Sequence, residues 1–463
     1  MNDLPPIDYH ASLSLRRRTL LTQMQETPAL IPAGSFIGRN YAGNPYAFRP
    51  SSHFIYLLGP HSFHLADSWL LLANGKTKLF TTAPCADDAL WHGPSPSFDA
   101  LSDLLQVQVC DLQTLSQELS GLKPATILAV DPNTQTQQTE LLGRDVRTPS
   151  PIDQQLCSAM VQLRLKHDEA AQWEMRVAAE ATAAAHRAGM KATRSDKFEW
   201  EIKAAMEYEL SLRGMTTAYN PIVSTHGEVL HNNDYHHTLQ NGDLILADVG
   251  AETRGGFAGD VTRTWPVSGT YQPEQRAIYE VVQRAQEEAI AMCTAGTRYR
   301  DIHLKACTAL TEGLIDLGIL KGSPEELVND DVHALFFPHG VGHIIGLDVH
   351  DMEDLGDLAG YAAGRERSNR FGLCYLRLDR DLEPGMAVTI EPGFYQVPAI
   401  LNDPDRVGPA KDCIQWGELE KYAQVRGIRI EDDILITEAG PENLTEAIPK
   451  SVSDVEQHIG ASS

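Results

Sequence analysis

The pattern of apolar and polar positions changes about a third of the way along the chain. Before that point, short apolar runs alternate with turn residues. The runs at 69–73 and 76–80 flank Asn74-Gly75, a dipeptide typical of a tight β-hairpin. Another apolar run at 125–130 is typical of a buried strand. We therefore predict a mixed α/β domain over residues 1–158.

Beyond residue 165, apolar positions recur at helical spacing in long segments rich in Ala, Glu, Lys and Met, between shorter strand-like runs. The pattern predicts helices over 167–190, 198–212, 273–295 and 299–317, and strands over 243–249, 387–390 and 428–437. We expect these elements to form a second domain over residues 159–450, in which long helices pack on strands. A polar tail is expected over 451–463.

Composition and charge narrow the class of protein. The formal net charge of −25 argues against a nucleic-acid backbone as the main partner. The chain has no run of about 18 apolar residues that would predict a membrane span, and its first residues do not resemble a secretory signal. Seven scattered cysteines without a Cys-x-x-Cys pair predict neither a disulfide framework nor a thiolate zinc site. We expect a cytoplasmic protein with reduced thiols.

Five acidic or imidazole residues lie in apolar or glycine-rich surroundings next to predicted strands: Asp248, Asp260, His343, Glu391 and Glu431. An ionised carboxylate at the end of a buried strand is costly unless it pairs with a cation or a metal. Each residue alone could be an ordinary turn or strand-end residue. Together, four carboxylates and one imidazole suit divalent ions such as Mn²⁺, with Co²⁺ or Zn²⁺ as alternatives.

The segments around these residues resemble a known family. The matching runs are NGDLILADVG followed by AGDVTRTWPVSG, HGVGHIIGLDVHD, LEPGMAVTIEPGFY and IRIEDDILIT. They are similar to the creatinase/aminopeptidase ("pita-bread") metallopeptidases, in the proline-directed branch of prolidase and aminopeptidase P. Upstream, FRPSSHFIYLLG and ALWHG resemble the N-terminal domain of that branch. The resemblance implies an α+β fold, with a curved antiparallel sheet covered by helices after a creatinase-like α/β domain.

The resemblance also implies roles for individual residues. Asp248 would bind a first metal ion, Asp260 and Glu431 would bridge two ions, and His343 and Glu391 would hold the second. Glu391 is in addition the candidate general base. His231, His339 and His350 would donate hydrogen bonds to the substrate, and Arg429 would orient the site. A structural role in satisfying buried groups is the alternative for His339 and Arg429. The family further implies a homodimer or homotetramer.

One departure from the family pattern concerns the first two ligands. Asp248 and Asp260 are twelve positions apart, one more than the family pattern. Gly255-Gly256 is the natural place for the extra residue, in a wider hairpin loop or bulge. A shift in register would instead place one of the two carboxylates on the wrong face.

Dipeptidase and aminopeptidase differ in what lies beyond the proline. A dipeptidase must hold a free carboxylate, for which a forked arginine is suited. Arg377 matches the arginine that does so in prolidases, although it could also be a solvated loop arginine among Arg365, Arg367, Arg370 and Arg380. We therefore place an Xaa-Pro dipeptidase first, acting on an Xaa-Pro dipeptide, with an aminopeptidase acting on short peptides as the alternative. Metal-free creatinase, methionine aminopeptidase and a non-catalytic binding protein on this fold fit the ligand set or its context less well.

Overall fold

A computed structural model describes residues 8–460, apart from the side chains of residues 86–88 and 409. The chain divides into two compact units, Met1–Arg164 with Asp168–Ala170, and Leu165–His167 with Ala171–Ser463. The division falls at the end of the helix Pro151–Arg164, which spans the boundary expected near residue 158. In the described part of the chain, every helix is too short or too polar to cross a membrane.

The first unit contains a mixed sheet with the strand order β4-β3-β2-β1-β5. Its strands are β1 (Ala29–Pro32), β2 (Trp69–Ala73), β3 (Lys76–Thr81), β4 (Gln108–Asp111) and β5 (Ala125–Thr126). The predicted hairpin is present as β2 and β3, which pair antiparallel. Asn74 and Gly75 at its turn both have positive φ, 53° and 68°, as a type I′ turn requires.

The helices in the described part of the first unit are, in chain order, α1 (Tyr9–Gln23), α2 (Ser52–Leu58), α3 (Ala86–His92), α4 (Phe98–Leu105), α5 (Leu115–Glu118), α6 (Pro132–Leu142) and α7 (Pro151–Arg164). The strand predicted over 125–130 is much shorter than expected. Asp131 caps helix α6 by accepting a hydrogen bond from the Thr134 amide, and Pro132 occupies the first helical turn. Residues 127–131 before this helix form neither strand nor helix, and the side chain of Gln138 accepts from the Ala129 amide and donates to the Ile127 carbonyl.

Long helices and short antiparallel sheets make up the second unit. Its helices are α8 (Glu169–Ala192), which begins at the junction, α9 (Glu199–Leu212), α10 (Pro273–Ala291), α11 (Tyr299–Asp316), α12 (Pro324–Asn329), α13 (Asp357–Gly360), α14 (Pro398–Leu401), α15 (Pro404–Val407), α16 (Trp416–Leu419) and α17 (Val452–His458). The four long helices predicted from the sequence correspond to α8 to α11. Helix α17 lies in the segment expected to be a polar tail, and it is ordered because Val452 and Val455 are buried.

The strands of the second unit are β6 (Thr216–Thr217), β7 (Ile222–Ser224), β8 (Leu244–Asp248), β9 (Ala251–Glu252), β10 (Thr262–Pro266), β11 (Ala387–Ile390), β12 (Gly393–Tyr395), β13 (Gly427–Arg429), β14 (Asp432–Thr437) and β15 (Gly440–Asn443). They pair antiparallel as β10-β8-β7, β11-β14-β15, β12-β13 and β6-β9. Antiparallel sheets with long helices agree with the predicted α+β class.

The strand predicted over 428–437 is interrupted in the middle. It forms β13 and β14, and Glu431 lies between them. The Glu431 amide donates to the carbonyl of Thr262 at 3.0 Å, so the chain at this point pairs with β10 instead of continuing either neighbouring strand.

Candidate metal centre and active site

Asp248 and Asp260 reach one place from two paired strands. Asp248 ends β8 opposite Thr262 of β10, and Asp260 comes just before β10. Between them the chain turns at residues 253–257, where the Thr253 amide bonds to the Phe257 carbonyl and Gly256 has a φ of +85°. The longer spacing is thus absorbed at the turn, as the sequence suggested, without a shift in register.

The hydroxyl of Tyr219 joins these two carboxylates. It lies 2.6 Å from Asp248 Oδ1 and 2.6 Å from Asp260 Oδ1. A phenol has one proton to donate, so it can satisfy only one of these oxygens at a time. The second short contact needs a proton on a carboxyl group or a cation between the carboxylates.

Glu431 and His343 complete the inner part of the site. Asp260, His343 and Glu431 each offer a ligand atom within 4.8 Å of the others, and all three are buried. His343 Nε2 lies 3.4 Å from Asp260 Oδ2 and 3.6 Å from Glu391 Oε1. Thr262 donates to Glu431 Oε2 at 2.6 Å, while Glu431 Oε1 has no hydrogen-bond partner among the described residues.

Burial sets the electrostatics of these acids. It raises the pKa of Asp260 to about 8, with Asp248 adding repulsion, and it raises the pKa of Glu391 to about 7. The pKa of Glu431 is also raised well above its ordinary value by burial and by Asp260 and Glu391. For these acids the cost of burial and mutual repulsion outweighs the attraction of Arg429. The unsatisfied Glu431 oxygen and the mixed oxygen and nitrogen donors fit divalent metal ions.

Arg429 connects the carboxylates to a histidine through hydrogen bonds. Its guanidinium donates to Asp248 Oδ2 at 2.7 Å, to Thr262 Oγ1 at 2.9 Å and to the Tyr395 hydroxyl at 3.0 Å. The same hydroxyl lies 2.8 Å from His339 Nε2. Burial and the charge of Arg429 lower the pKa of His339 to about 3, so this imidazole is neutral.

A cavity of about 680 Å³ opens over this group. Its wall includes all ten candidate site residues, namely His231, Asp248, Asp260, His339, His343, His350, Arg377, Glu391, Arg429 and Glu431. The ring of His350 packs against that of His343, with centroids 4.1 Å apart. Burial lowers the pKa of His231 and of His350. The structure thus brings the sequence-predicted site residues to one cavity.

Arg377 lies in the cavity wall in a different state from the one expected. It donates to Glu353 Oε2 at 2.6 Å, and the same oxygen lies 3.1 Å from His350 Nδ1. Although burial acts in the opposite direction, His350 and Arg377 lower the pKa of Glu353 to about 2. The guanidinium is therefore already paired with a carboxylate of the chain itself.

Three residues of the site were missed by the sequence reasoning: Tyr219, Glu353 and Tyr395. Tyr219 lies in an irregular segment before β7, where no periodicity marks it. Tyr395 is part of the EPGFY motif, which could have drawn attention to it. Glu353 follows His350 by three positions, and this spacing was the available signal.

Comparisons with known proteins identify the family of the chain. The family model for metallopeptidase family M24 matches residues 174–438, and that for the N-terminal domain of aminopeptidase P matches residues 13–128. The Xaa-Pro aminopeptidase of Escherichia coli K12 is 31% identical over 95% of this chain and 96% of its own. The human Xaa-Pro dipeptidase is 30% identical over 96% and 92%.

Solved structures give the same answer at the level of the fold. Aminopeptidase P from Escherichia coli with the inhibitor Pro-Leu superimposes with a TM-score of 0.80, at 29% identity over 97% of this chain and 98% of the other. Proline aminopeptidase P II from Yersinia pestis gives 0.78, at 28% identity over 97% and 99%. The expected family and two-domain α+β fold are confirmed. The chain belongs to metallopeptidase family M24, with the N-terminal domain of aminopeptidase P before its catalytic domain.

Proposed function

We propose that the chain is an Xaa-Pro aminopeptidase, which removes the residue in front of a proline from the N-terminus of a peptide. The observation that carries the proposal is the convergence of Asp248, Asp260, His343, Glu391 and Glu431 on one cavity. The names of the relatives support an aminopeptidase over a dipeptidase. Several that align over most of both chains are named Xaa-Pro aminopeptidase, which favours the alternative over the dipeptidase that the sequence placed first.

Members of the M24 family use divalent metal ions, and the residues of this site fit two. Asp248 would hold the first, Asp260 and Glu431 would lie between both, and His343 and Glu391 would hold the second. When bound, such ions supply an acidified water and polarise the scissile carbonyl. We infer Mn²⁺ from the excess of oxygen ligands. A related aminopeptidase P has been solved in a zinc-substituted form, so zinc remains the second candidate.

The side chains of the chain would do the remaining work. Glu391 is placed to accept a proton and pass it toward the leaving nitrogen. His231 and His350 would donate hydrogen bonds to the substrate carbonyl or to the charge that develops on it. The single N–H of neutral His339 already donates from Nδ1 to the Gly340 carbonyl at 2.8 Å, which favours the structural role for this residue. Arg429 would hold Asp248 and, through Tyr395, the orientation of His339.

The cavity also offers surfaces for a proline ring. Phe371, Val397 and Ile400 line it beside the polar groups. Proline presents no amide N–H and has a fixed φ, so its recognition depends on shape and apolar contact more than on a hydrogen bond. An apolar wall next to the candidate metal ligands suits this requirement.

The pairing of Arg377 supports the aminopeptidase. A dipeptide must place its terminal carboxylate against a free cation, whereas Arg377 is already bound to Glu353 at 2.6 Å. A substrate carboxylate would have to displace Glu353, and a longer peptide presents an uncharged amide there instead. The dipeptidase remains the second candidate because the human relative with that name aligns over almost the whole chain.

Hydrolysis of Ala-Pro, Ala-Pro-Ala and Ala-Ala-Ala by protein stripped of metal and reloaded with Mn²⁺ tests the proposal. We expect cleavage of Ala-Pro-Ala alone. Cleavage of Ala-Pro alone would overturn the aminopeptidase in favour of the dipeptidase, and cleavage of Ala-Ala-Ala would contradict proline specificity. Glu353→Gln should increase any activity on Ala-Pro by freeing Arg377, and the double variant with Arg377→Ala should abolish that gain.

Location and assembly are further parts of the proposal. No disulfide joins cysteines within the described residues, which supports a reducing compartment such as the cytoplasm. A homodimer or homotetramer stays a prediction from the family resemblance. Light scattering coupled to size-exclusion chromatography would measure the mass of the assembly.

A further inference from the structure

A second group of metal-ligand side chains lies outside the candidate active site. His303 and Cys307 are one helical turn apart on α11, and His333 lies in the short 3-10 helix Val332–Leu335. Each offers a ligand atom within 4.8 Å of the other two. All three side chains are buried, with His303 and Cys307 fully inaccessible and His333 1% exposed.

The hydrogen bonds of this cluster are incomplete. His303 Nε2 lies 2.8 Å from the carbonyl oxygen of Gly372, which assigns the ring proton to Nε2 and leaves Nδ1 as the acceptor of the ring. The Cys307 sulfur is 3.5 Å and 3.9 Å from the two ring nitrogens of His303. Neither ring nitrogen of His333 has a hydrogen-bond partner in the described part of the chain.

An imidazole buried with two unsatisfied nitrogens carries a substantial desolvation cost. Burial lowers the pKa of His303 to about 4, and burial together with His303 and Arg370 lowers the pKa of His333 to about 3. Both rings are therefore neutral, which is the form that binds a metal ion. Burial and the nearby Asp331 raise the pKa of Cys307, and coordination to a cation would remove its proton.

We propose that His303, Cys307 and His333 bind one zinc ion at a site separate from the candidate dinuclear centre. Two imidazoles and a thiolate supply three of the four ligands that zinc takes in a tetrahedral site. The thiolate distinguishes this site chemically, because the five ligands of the dinuclear centre include no sulfur.

The position of the cluster gives the ion a structural role. The Gly372 carbonyl that binds His303 belongs to the loop that carries Phe371, Tyr375 and Arg377 into the cavity wall. A side chain on Gly372 would come within 2.7 Å of His333, so only glycine allows this close approach. Zinc would therefore fix the loop against α11 and the 3-10 helix.

A second route leads from the cluster to the active site. The ring of Phe337 lies between those of His303 and His339, with centroid distances of 5.7 Å and 4.8 Å. Loss of zinc should thus loosen both the loop and the support of His339, and it should raise the KM for substrate more than it lowers the turnover of bound substrate.

Cobalt substitution of the holoenzyme tests the proposal. A thiolate bound to Co²⁺ gives an intense near-ultraviolet charge-transfer band, which carboxylates and imidazoles do not give. We expect the band in the Co²⁺-loaded wild type and its loss in Cys307→Ser. It should persist in Cys293→Ser, a control at another buried cysteine, and in Asp260→Asn, in which the dinuclear centre is disrupted.

Absence of the band from the fully loaded wild type would overturn the proposal without any variant. Persistence of the band in Cys307→Ser would overturn it as well. The Asp260→Asn result separates this site from the proposed function, because that variant loses peptidase activity while the thiolate signal remains. His333→Gln should lower the zinc content of purified protein by one equivalent and raise KM, whereas an unchanged zinc content would contradict the assignment of His333.

Discussion

Three consecutive buried carboxylates, Glu431, Asp432 and Asp433, lie in two different environments. Asp432, the first residue of β14, has a fully buried side chain that pairs with Arg263 Nη2 at 2.7 Å and Lys450 Nζ at 2.8 Å. Its neighbours Glu431 and Asp433 are also buried, yet each has a carboxylate oxygen without a partner among residues 8–460. Three consecutive acids thus alternate between a paired and an unpaired environment.

The pKa values follow the same alternation. Burial opposes ionisation of Asp432, but Arg263 and Lys450 lower its pKa below the ordinary value. Burial raises the pKa of Glu431 and Asp433 well above their ordinary values, and Asp260 adds to the repulsion in both cases. The chain supplies its own cations where a carboxylate is structural. At Glu431, by contrast, one carboxylate oxygen is left for a metal ion to bind.

The largest expected effect comes from removing a candidate ligand. Glu431→Gln or Asp260→Asn should abolish peptidase activity and bound metal together. The loss should exceed the roughly 10–100-fold that follows from removing a supporting partner of a ligand. Metal content by mass spectrometry and cleavage of Ala-Pro-Ala measure the two quantities.

His231→Ala serves as the matched control, since His231 lines the cavity without belonging to the ligand set. It should retain full metal content while turnover falls. Unchanged metal stoichiometry in Asp260→Asn would show that the ligand assignment is wrong.

Removing the paired carboxylate of Asp432 should lower stability and leave bound metal unchanged. Asp432→Asn leaves the charges of Arg263 and Lys450 buried without a counter-ion, so the free energy of unfolding should fall by about 3–5 kcal/mol. Metal content of the folded fraction should not change. Denaturant unfolding compares this variant with Asp145→Asn, a carboxylate paired with Arg147 in an exposed position, which should unfold like the wild type.

Tyr219→Phe tests the contact between Asp248 and Asp260. The variant keeps the aromatic ring but removes the hydroxyl that lies 2.6 Å from each carboxylate. We expect metal affinity to fall by roughly 10-fold to 100-fold, in line with other partners of metal ligands. An unchanged dissociation constant in a metal titration would mean that the hydroxyl does not support the ligands.

The smallest effect concerns the pH dependence of the metal-free protein. The folded pKa of Asp260, about 8, lies above its ordinary value of 3.8, so folded protein holds a proton that unfolded protein has lost. Stability must then fall as pH rises toward 8. Between pH 6.5 and 8, where lowered histidine pKa values no longer contribute, the melting temperature of metal-free protein should decrease.

Two comparisons check the origin of this slope. Metal-loaded protein should not show it, because the cations stabilise the ionised carboxylates. Metal-free Glu431→Gln should show a shallower slope than metal-free wild type. Equal slopes in these proteins would place the titrating groups elsewhere.

Much of the fold could be predicted because its patterns are local. The hairpin at Asn74-Gly75, the long helices and the strand at 387–390 follow from turn residues and apolar spacing, and family motifs located the candidate ligands. The break at Glu431 could not be read in this way. It depends on a hydrogen bond to the Thr262 carbonyl from a distant part of the chain, whereas the residues from 428 to 437 alone form a continuous strand pattern.

The site shows the same limit of sequence reasoning. Ligand candidates stand in recognisable motifs, but the partners that set their charge do not. Arg377 matched a carboxylate-binding arginine, and only the structure shows that Glu353 already occupies it. Tyr219 and the group formed by His303, Cys307 and His333 likewise depend on contacts between separate elements. The spacing of residues predicts which side chains share one face of a helix or strand. It does not predict which residues of other elements contact that face.

The raised pKa values of Asp260, Glu391 and Glu431 have a thermodynamic consequence for metal binding. Each proton that the empty centre retains near neutral pH must leave when a cation enters. The heat of binding measured by calorimetry will therefore include the ionisation heat of the buffer. Between phosphate and Tris it will differ by the number of protons released multiplied by the difference in ionisation enthalpy of the two buffers. Acidification will weaken metal binding before it unfolds the chain. An acidic medium would therefore first remove metal from this protein, as a chelator does.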